Sequence, residues 1–217
     1  MANQDEDKRL VAQAAAERVE EGMLVGLGTG STVAYLLQAL ADRSIRATYV
    51  STSPRTEDAA IGLGLQVRSF DDVPYCDLAI DGADEVAPDF WLIKGGGAAH
   101  TREKLIAASS KSFIVIVDST KIVPALQGPV PLELLPFGLA STIERLGPVT
   151  LRDVPRSPDG GVIADYRGPI GDPAVLATLL SDTPGVIEHG LFPPSMVSEV
   201  MTAVDGQVTC LLRGVDR

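Results

Sequence analysis

The chain has 217 residues, of which 45% are hydrophobic and 22% charged, and its formal net charge is −11. This length can bury one large core or a main domain with a smaller one. The acidic balance and the lack of a dense basic run argue against a nucleic-acid partner, and the apolar runs are too short to span a bilayer. An anionic substrate would be repelled by the overall charge and would need local donors.

The N-terminus and the cysteines indicate the compartment. The first residues are polar and acidic, without the charged and apolar regions of a signal peptide. Cys76 and Cys210 are too few for a disulfide framework, and no Cys/His cluster has the spacing of zinc ligands. We predict a cytoplasmic protein without a membrane partner, in which Cys76 is a small core residue rather than a nucleophile.

Helices and strands alternate in the first half of the chain. Strands are predicted at residues 23–25, 47–52, 66–70, 76–80, 90–93 and 113–117. Helices are predicted at residues 7–21, ended by Gly22, then along the apolar stripe of Val33, Leu36, Leu37 and Leu40, from Ser53-Pro54 to Gly62 or Gly64, and at 98–109. Repeated βα units predict a parallel sheet covered by helices.

The pattern changes after Lys121, where Pro124, Pro129, Pro131 and Pro136 crowd one stretch. Beyond it, helices are predicted at residues 139–146 and 173–180, and strands at 149–152, 162–166 and 186–192. Strands 199–204 and 207–212 flank Asp205-Gly206, which suits a hairpin that returns to the main sheet. We therefore predict a Rossmann-like α/β domain over residues 1–126 and 201–217, with a small α+β, ferredoxin-like domain inserted at 127–200.

The first motif is the glycine-rich stretch Gly26-Leu-Gly-Thr-Gly-Ser-Thr32, between a predicted strand and a predicted helix. Its N–H and O–H groups would lie at the positive end of a helix dipole, which suits a phosphate. It is not a P-loop, because no lysine follows, and Val33 stands where a dinucleotide fingerprint needs its third glycine. The remaining alternative is a turn that only packs.

The second group of motifs follows two further predicted strands. Closely spaced acids in Asp81-Gly-Ala-Asp-Glu85 could be metal ligands, general acids and bases, partners for sugar hydroxyls, or an acidic turn. Lys94-Gly-Gly-Gly97 ends an apolar run with a cation that could stabilise developing negative charge. Glu103 follows on a predicted helix, where most glutamates are solvated. We predict His100 to be a surface or partly packed residue.

Together these motifs resemble ribose-5-phosphate isomerase of the A type. The resemblance covers nearly the whole chain and also includes Asp118-Ser-Thr-Lys121, Pro136-Phe137 and the segment at residues 184–192. It implies interconversion of ribose 5-phosphate and ribulose 5-phosphate through an enediol, without a metal or other cofactor, by a homodimer or homotetramer in the pentose phosphate pathway. The small domain would lie at the oligomer interface.

The resemblance also implies roles for single residues. Glu103 resembles the base that moves a proton between C2 and C1, and Asp81, Asp84 and Lys94 resemble the groups that open the furanose and handle the O1 and O2 protons and charge. Lys8 matches a lysine that reaches the phosphate. The residues implied in substrate binding are Thr29, Gly30, Ser31, Thr32, Asp81, Gly82, Ala83, Asp84, Lys94, Gly95, Gly96, Gly97, Lys121 and Lys8.

Two other functions are alternatives to the one that the resemblance implies, and three segments of the chain differ from the family pattern. A glucosamine-6-phosphate deaminase or phosphogluconolactonase relative has a similar Gly-Thr-Gly-Ser-Thr loop but lacks the combined acidic and lysine motifs. A sugar-phosphate sensor would need a DNA-binding module and would leave Glu103 without a purpose. The chain departs from the family pattern between Thr142 and Leu151, at residues 156–161 and at 199–204, which bears on oligomer geometry more than on chemistry.

Overall fold

The computed structural model describes residues 4–204 and 206–214. Its helices are α1 Gln4–Ala16, α2 Ser31–Arg43, α3 Pro54–Gly62, α4 His100–Ala108, α5 Leu139–Leu146 and α6 Pro173–Asp182. Its strands are β1 Leu24–Leu27, β2 Thr48–Ser51, β3 Gln66–Val67, β4 Leu78–Asp81, β5 Glu85–Val86, β6 Leu92–Ile93, β7 Phe113–Asp118, β8 Val130–Leu134, β9 Val149–Leu151, β10 Val162–Tyr166, β11 Val186–His189, β12 Leu191–Phe192, β13 Glu199–Val204 and β14 Gln207–Leu212. Two short 3-10 turns lie at Ser119–Lys121 and Pro194–Met196.

The chain divides into two compact units. Unit 1 comprises Met1–Ala83, Arg102–Ile122 and Pro194–Arg217, and unit 2 comprises Asp84–Thr101 and Val123–Pro193. This division differs from the predicted domain boundaries mainly at residues 84–101, which the sequence analysis assigned to the larger domain. The predicted domains, residues 1–126 with 201–217 and residues 127–200, stay a prediction.

Unit 1 contains a seven-stranded sheet in the order β14-β13-β7-β4-β1-β2-β3. All neighbours in it are parallel except β13 and β14, which form the predicted C-terminal hairpin. The six parallel strands have the order of a doubly wound Rossmann fold, and that order reverses between β1 and β4. The fold class is therefore confirmed, and the carboxyl ends of β1 and β4 are where such sheets bind ligands.

The apolar strands predicted from the sequence are buried in the core of unit 1. All six residues of β7 and all four of β4 are buried, as expected for parallel strands with both faces covered. The predicted stripe of α2 is also confirmed, because Val33, Leu36, Leu37 and Leu40 are each at most 2% exposed. A helical period therefore identified this helix correctly.

The first helix is shorter than predicted. It ends at Ala16 rather than continuing to residue 21. The Arg43 guanidinium donates to the carbonyl oxygen of Ala16 and, at 2.8 Å, to that of Val19. Carbonyl groups at a helix end have no partner within the helix; here Arg43 is one of the donors to them, and the Ala16 oxygen also accepts the N–H of Val19 at 3.1 Å. Gly22, at φ 80°, lies in the turn that precedes β1 instead of ending the helix.

Unit 2 is built on a four-stranded antiparallel sheet in the order β11-β8-β10-β9. With α5 and α6 the chain order is βαββαβ, which together with this strand order is a ferredoxin-like arrangement. A second, three-stranded sheet joins β12, β6 and β5. The predicted small α+β fold is confirmed.

The central strand β8 was missed from the sequence. All five of its residues are buried, although Pro131 lies within it. Proline in a strand normally argues against a central position because it donates no ladder hydrogen bond. Here the paired residues of β11 end at Leu132, one residue short of Pro131, whose carbonyl oxygen accepts the N–H of Gly190.

The predicted strand at residues 186–192 is in fact two strands in different sheets, β11 and β12. The break is at Gly190, where a Cβ atom would lie 2.1 Å from the carbonyl oxygen of Lys94. Pairing of β12 with β6 also explains why residues 84–101 belong to unit 2, since Ile93 and Leu191 share one buried apolar cluster with Leu132. A short strand such as β5, anchored by Glu85 to the backbone N–H of Gln127 at 2.7 Å, has no periodic signal in the sequence.

Other boundaries differ slightly. The structure shortens the strands predicted at residues 66–70, 90–93 and 149–152, and β4 starts and ends later than predicted. Asp205, the first residue of the predicted hairpin turn, lies outside the described residues, while Gly206 has φ 79°. Within residues 4–204 and 206–214, no helix has the length and apolar character that a bilayer crossing requires.

Asp77, directly before β4, links the beginnings of β1 and β4 in the unit 1 sheet. Its Oδ2 accepts the backbone N–H of Leu24 at 2.9 Å, and its Oδ1 lies 2.8 Å from the ammonium of Lys111. The hydrogen bond from Leu24, followed by the one from Lys111, holds the pKa of Asp77 below its ordinary value. This interaction therefore stabilises the folded state only while Asp77 is ionised.

We expect Asp77→Asn to lower stability at pH 7, by less than about 1 kcal/mol because the site is partly open to solvent. The folded-state pKa lies below the unfolded value of about 4, so the contribution is complete above that value and is lost as pH falls through the folded pKa. Urea unfolding at pH 7 and at about pH 3 measures this. Asp58→Asn, a change at an exposed residue of α3, is the control. If the free energy of unfolding of Asp77→Asn differed from that of the parent by the same amount at both pH values, the prediction would be contradicted.

Candidate active site

The loop between β1 and α2 is shaped by glycines. A Cβ atom at Gly28 would lie 1.8 Å from Cγ and Oδ1 of Asp81, and one at Gly26 would lie 2.3 Å from Cγ2 of Ile106. Gly26 and Gly28 therefore have no room for a side chain, because the backbone packs closely on its neighbours there. Gly30 precedes α2 at φ 132° and provides no side-chain cap, and the first turn of the helix has no acidic residue. This helix end suits an anion.

Asp81 ends β4 and is only 4% exposed. Its Oδ1 accepts the backbone N–H of Thr29 at 3.1 Å and that of Gly82 at 2.7 Å. Two N–H donors on one carboxylate oxygen hold the group in a single orientation and stabilise its negative charge. The predicted phosphate loop and the first acid of the acidic motif are thus in direct contact.

A cluster of hydroxyl groups holds Thr29 from the other side. Its hydroxyl donates to Ser53 at 2.8 Å and lies 2.8 Å from the hydroxyl of Thr52 and 3.4 Å from that of Thr56. The sequence analysis identified Ser53 only as the start of α3, which its hydrogen bond with the N–H of Thr56 at 3.2 Å confirms. The same residues also immobilise the loop.

Three strands of unit 1 bring predicted site residues to the side of the sheet where the strands have their carboxyl ends. Thr29 follows β1, Asp81 ends β4, and Lys121 follows β7, and these strands are neighbours in the order β7-β4-β1. Lys121 is half-buried at the end of the 3-10 turn, which Asp118 caps by accepting the N–H of Thr120 at 3.0 Å. Open α/β sheets bind ligands at these carboxyl ends of the strands.

The remaining loop residues of unit 1 differ in exposure. Gly30 and Ser31 are exposed and Thr32 is buried, while Gly82 and Ala83 are half-buried. Lys8 is half-buried on α1. Their roles in binding stay predictions.

In unit 2, as for Asp81 and Gly28 in unit 1, a carboxylate packs against a glycine. Asp84 Oδ2 accepts the N–H of Gly96 at 2.7 Å, and a Cβ atom at Gly96 would lie 2.5 Å from Asp84 Oδ1. The Asp84 N–H in turn donates to the carbonyl oxygen of Ile93 at 2.8 Å. The second acid of the motif and the glycine loop are thus joined within one unit.

Lys94 follows β6 and is 2% exposed. Its N–H donates to the carbonyl oxygen of Gly190 at 2.9 Å, and its ammonium lies 5.4 Å from the ring centroid of Phe192. A cation over an aromatic face is attracted by the ring quadrupole. The lysine is therefore held at its backbone by Gly190, and its ammonium lies near the ring of Phe192.

His100 was predicted to be a surface or partly packed residue, which is wrong, because the structure buries it completely. Its ring packs on Gly95, where a Cβ atom would lie 2.7 Å from His100 Nδ1. Gly95 also has φ 107°, a conformation that other residues rarely adopt. The glycine loop and the first residue of α4 therefore pack against each other.

Glu103 lies in the first turn of α4 and is 5% exposed. Most glutamates on helices are exposed, and full burial of one is rare unless it is paired. A carboxylate in the first turn also interacts favourably with the helix dipole. The alternative of a solvated surface residue is excluded.

Several residues beside the predicted set were missed. Arg152 donates to the carbonyl oxygens of Gly95 and Gly96, and Glu133, 2% exposed, accepts hydrogen bonds from the hydroxyls of Thr101 and Ser157. No local pattern marks these positions, because each partner is far away in the chain.

Metal-binding and nucleophilic chemistry have few candidates. In the described part of the chain, no group of three or more His, Cys, Asp or Glu side chains is arranged to hold a metal ion. Cys76 is buried, and burial raises the pKa of its thiol to about 11, so that it is protonated at neutral pH.

Comparisons with known proteins agree on one family. The family described as ribose 5-phosphate isomerase A (phosphoriboisomerase A) matches residues 48–206. A ribose-5-phosphate isomerase A of Caulobacter sp. (strain K31) is 44% identical over 96% of this chain and 98% of its own length. Another from Thermosynechococcus vestitus is 44% identical over 92% of this chain and 93% of its own.

Solved structures lead to the same result. A ribose 5 phosphate isomerase A from Neisseria gonorrhoeae superposes with a TM-score of 0.93 at 31% identity, covering 98% of both chains. A D-ribose-5-phosphate isomerase in complex with phospho-erythronic acid superposes with a TM-score of 0.92 at 37% identity, covering 97% of this chain and 100% of the other.

Proposed function

Because the chain belongs to the ribose 5-phosphate isomerase A family and is a pentose-phosphate isomerase, we propose that it interconverts D-ribose 5-phosphate and D-ribulose 5-phosphate. The reaction passes through an enediol, with Glu103 as general base and without a metal ion. It serves the non-oxidative pentose phosphate pathway.

One observation carries the assignment of the catalytic groups. Asp81, Lys94 and Glu103, three ionisable residues of the predicted set, are at most 5% exposed. Burying an ionisable group costs free energy, so a chain keeps such groups where they are paired or have a function. Asp84, the fourth, is bonded to the backbone of the glycine loop that Lys94 begins.

The proton transfer needs more than a base. Glu103 removes the proton from C2 of the open-chain aldose and returns it to C1, which converts the aldehyde into the ketone. General base catalysis contributes about 10²–10⁴-fold, so Glu103 alone does not account for the rate of an isomerase. The proton on a carbon next to a carbonyl is weakly acidic, and the negative charge that develops on the oxygens must be stabilised as it forms.

Lys94 and the N–H groups of its loop supply that stabilisation in our proposal. Lys94 is buried, so its charge is weakly screened by water. A loop N–H group that is held in place is a donor that needs no reorganisation during the reaction; the N–H of Gly96 is already donated to Asp84 Oδ2, which leaves that of Gly97 for this role. Asp81 and Asp84 handle the O1 and O2 protons and the ring opening that must precede isomerisation.

Phosphate binding is assigned to the start of α2. Gly30 and Ser31 are exposed there, and the first turn carries no acidic residue. In a chain of net charge −11, such a local set of donors, with Lys8 and Lys121, is what can attract a dianionic substrate. A related isomerase structure contains phospho-erythronic acid, a phosphate-bearing acid, which agrees with a ligand of this kind.

The assay is the formation of ketose from ribose 5-phosphate, followed by absorbance. We expect turnover that EDTA does not change, and much weaker turnover of ribose, which lacks the phosphate. Glucosamine 6-phosphate tests the deaminase alternative, and tight binding of ribose 5-phosphate without turnover would favour the sensor. Loss of activity in EDTA that added divalent metal restores would refute the metal-free mechanism.

A homodimer or homotetramer with unit 2 at its interface stays part of the proposal. Unit 2 exposes large apolar side chains, among them Phe137 at 87%, Val175 at 65% and Leu179 at 51%. Contiguous apolar patches mark contact surfaces, and Val175 and Leu179 lie one turn apart on α6.

A further inference from the structure

Arg152, directly after β9, uses its guanidinium to join two parts of unit 2. Nε lies 3.1 Å from both carboxylate oxygens of Asp165, and Nη2 donates to Asp165 Oδ1 at 2.6 Å. The other amino group, Nη1, donates to the carbonyl oxygens of Gly95 and Gly96 at 2.9 and 3.1 Å. One side chain thus binds a carboxylate on the sheet and two backbone groups of the glycine loop.

The Asp165 end of this arrangement is rigid. Asp165 lies on β10, beside β9, and the side chains of Arg152 and Asp165 are only 18% and 11% exposed. A forked contact between guanidinium and carboxylate fixes direction as well as distance. Because Asp165 occupies one side of the guanidinium, Nη1 is directed at the loop.

The glycine loop, by contrast, depends on contacts from neighbouring residues to hold it in one conformation. Three consecutive glycines have no side chains that pack, and they lose more conformational freedom on ordering than other residues. In a planar trans peptide the C=O and the following N–H point in opposite directions. Fixing the oxygens of Gly95 and Gly96 therefore also fixes the N–H groups of Gly96 and Gly97.

The observed contacts agree with this geometry. The N–H of Gly96 points to Asp84 Oδ2 at 2.7 Å, and the oxygen of Gly95 also accepts the N–H of Ala98 at 3.0 Å. Arg152 and Asp84 thus hold opposite edges of the same peptide unit. Without Arg152 this peptide unit is held at its N–H edge by Asp84 but loses the two hydrogen bonds that the guanidinium donates to the loop, so the loop N–H groups are less firmly oriented.

We propose that Arg152 is a positioning residue of the isomerase site: held by Asp165, it fixes the Lys94–Gly97 loop and so orients the Gly97 N–H group and the Asp84 carboxylate that act on the substrate. This inference rests on the proposed function. It assigns Arg152 no contact with substrate, so its effect must appear through the loop.

Kinetics provide the first test. Arg152→Ala is expected to lower kcat by about 10–100-fold, since misplacing catalytic groups by about 1 Å can cost 10²-fold. Guanidinium ion at a concentration well below denaturing should restore part of the lost activity in this variant and none in the parent. Arg152→Lys is expected to recover little, because an ammonium cannot bind Asp165 in a fork and both carbonyl oxygens at once.

Arg167→Ala is the matched control. Arg167 lies 3.8 Å from the same Asp165 carboxylate but is 53% exposed, and its Nε binds Thr150 rather than the loop. Its removal should leave kcat and KM unchanged. If Arg152→Ala does not fold, Asp165→Asn takes its place, with a smaller fall in kcat expected because the amide weakens the fork.

Amide hydrogen exchange provides a second test that does not depend on activity. Exchange at residues 95–98 should be faster in Arg152→Ala than in the parent, and unchanged in Arg167→Ala. If the parent showed no isomerase activity, the proposed function would fail while this measurement still tested the positioning role. Parent-like kcat, or parent-like exchange of the loop in Arg152→Ala, would overturn the proposal.

Discussion

Glu103→Gln is expected to reduce kcat for ribose 5-phosphate isomerisation by about 10²–10⁴-fold, the range that general base catalysis supplies. Glutamine has nearly the same shape as glutamate but cannot accept a proton at neutral pH. The side chain is 5% exposed, so the change keeps the packing of α4 while removing the base. KM should change far less than kcat, because the base acts in the transition state.

Glu144→Gln is the control for this variant. Glu144 is an exposed glutamate on α5, and its replacement should leave both kcat and thermal stability unchanged. Circular dichroism and thermal unfolding would show that Glu103→Gln is folded. A folded Glu103→Gln enzyme that retains most of its activity would remove Glu103 from the mechanism and leave Asp81 or Asp84 as the base.

The elements that were predicted correctly are those that residues close together in the sequence specify. The stripe of α2, the Ser53-Pro54 start of α3 and the buried run of β7 each depend on neighbouring residues, and the structure has all three. The order of strands in the sheet is a tertiary property, and the βα alternation predicted a parallel sheet without giving that order.

The errors have non-local causes. Pro131 obscured β8 because its tolerance depends on where β11 stops, and Gly190 divides a continuous apolar run because of the carbonyl oxygen of Lys94. His100 was expected near the surface, but it is buried against Gly95. Such packing partners cannot be identified from local periodicity.

The same reasoning applies to the site. Acids, lysine and glycines were recognised because they cluster in 23 residues, whereas Arg152 binds a loop 56 and 57 positions earlier in the chain. Its sequence context is that of an ordinary strand end. Residues that position catalytic groups from a distance are therefore the part of a site that one sequence conceals best.

Gly28→Ala is expected to reduce kcat/KM by about 10²-fold or more, because it displaces the Asp81 carboxylate, which we propose to be catalytic. The added Cβ would lie 1.8 Å from Cγ and Oδ1 of Asp81 and 2.5 Å from its Cβ. Asp81 cannot easily move away, since it ends a strand whose four residues are all buried. Its carboxylate would have to leave the N–H groups of Thr29 and Gly82, which hold it at 3.1 and 2.7 Å.

Stability should fall as well. Overpacking costs about 1–3 kcal/mol, and the two N–H groups lose a charged acceptor. Gly62→Ala is the matched control: a Cβ atom there meets nothing within 4 Å and Gly62 ends α3, so activity should be unchanged and stability equal or up to about 1 kcal/mol higher.

A double variant separates steric overlap from loss of the carboxylate. Asp81→Gly removes the atoms with which the new Cβ would overlap, so Gly28→Ala combined with Asp81→Gly should be less destabilised than the sum of the single variants. It should nevertheless stay inactive, because the carboxylate is gone. Urea unfolding and the ketose assay measure the two effects separately. Additive stability losses, or parent-like kcat/KM in Gly28→Ala, would show that the loop can move away from Asp81 and that their contact does not set the geometry of the site.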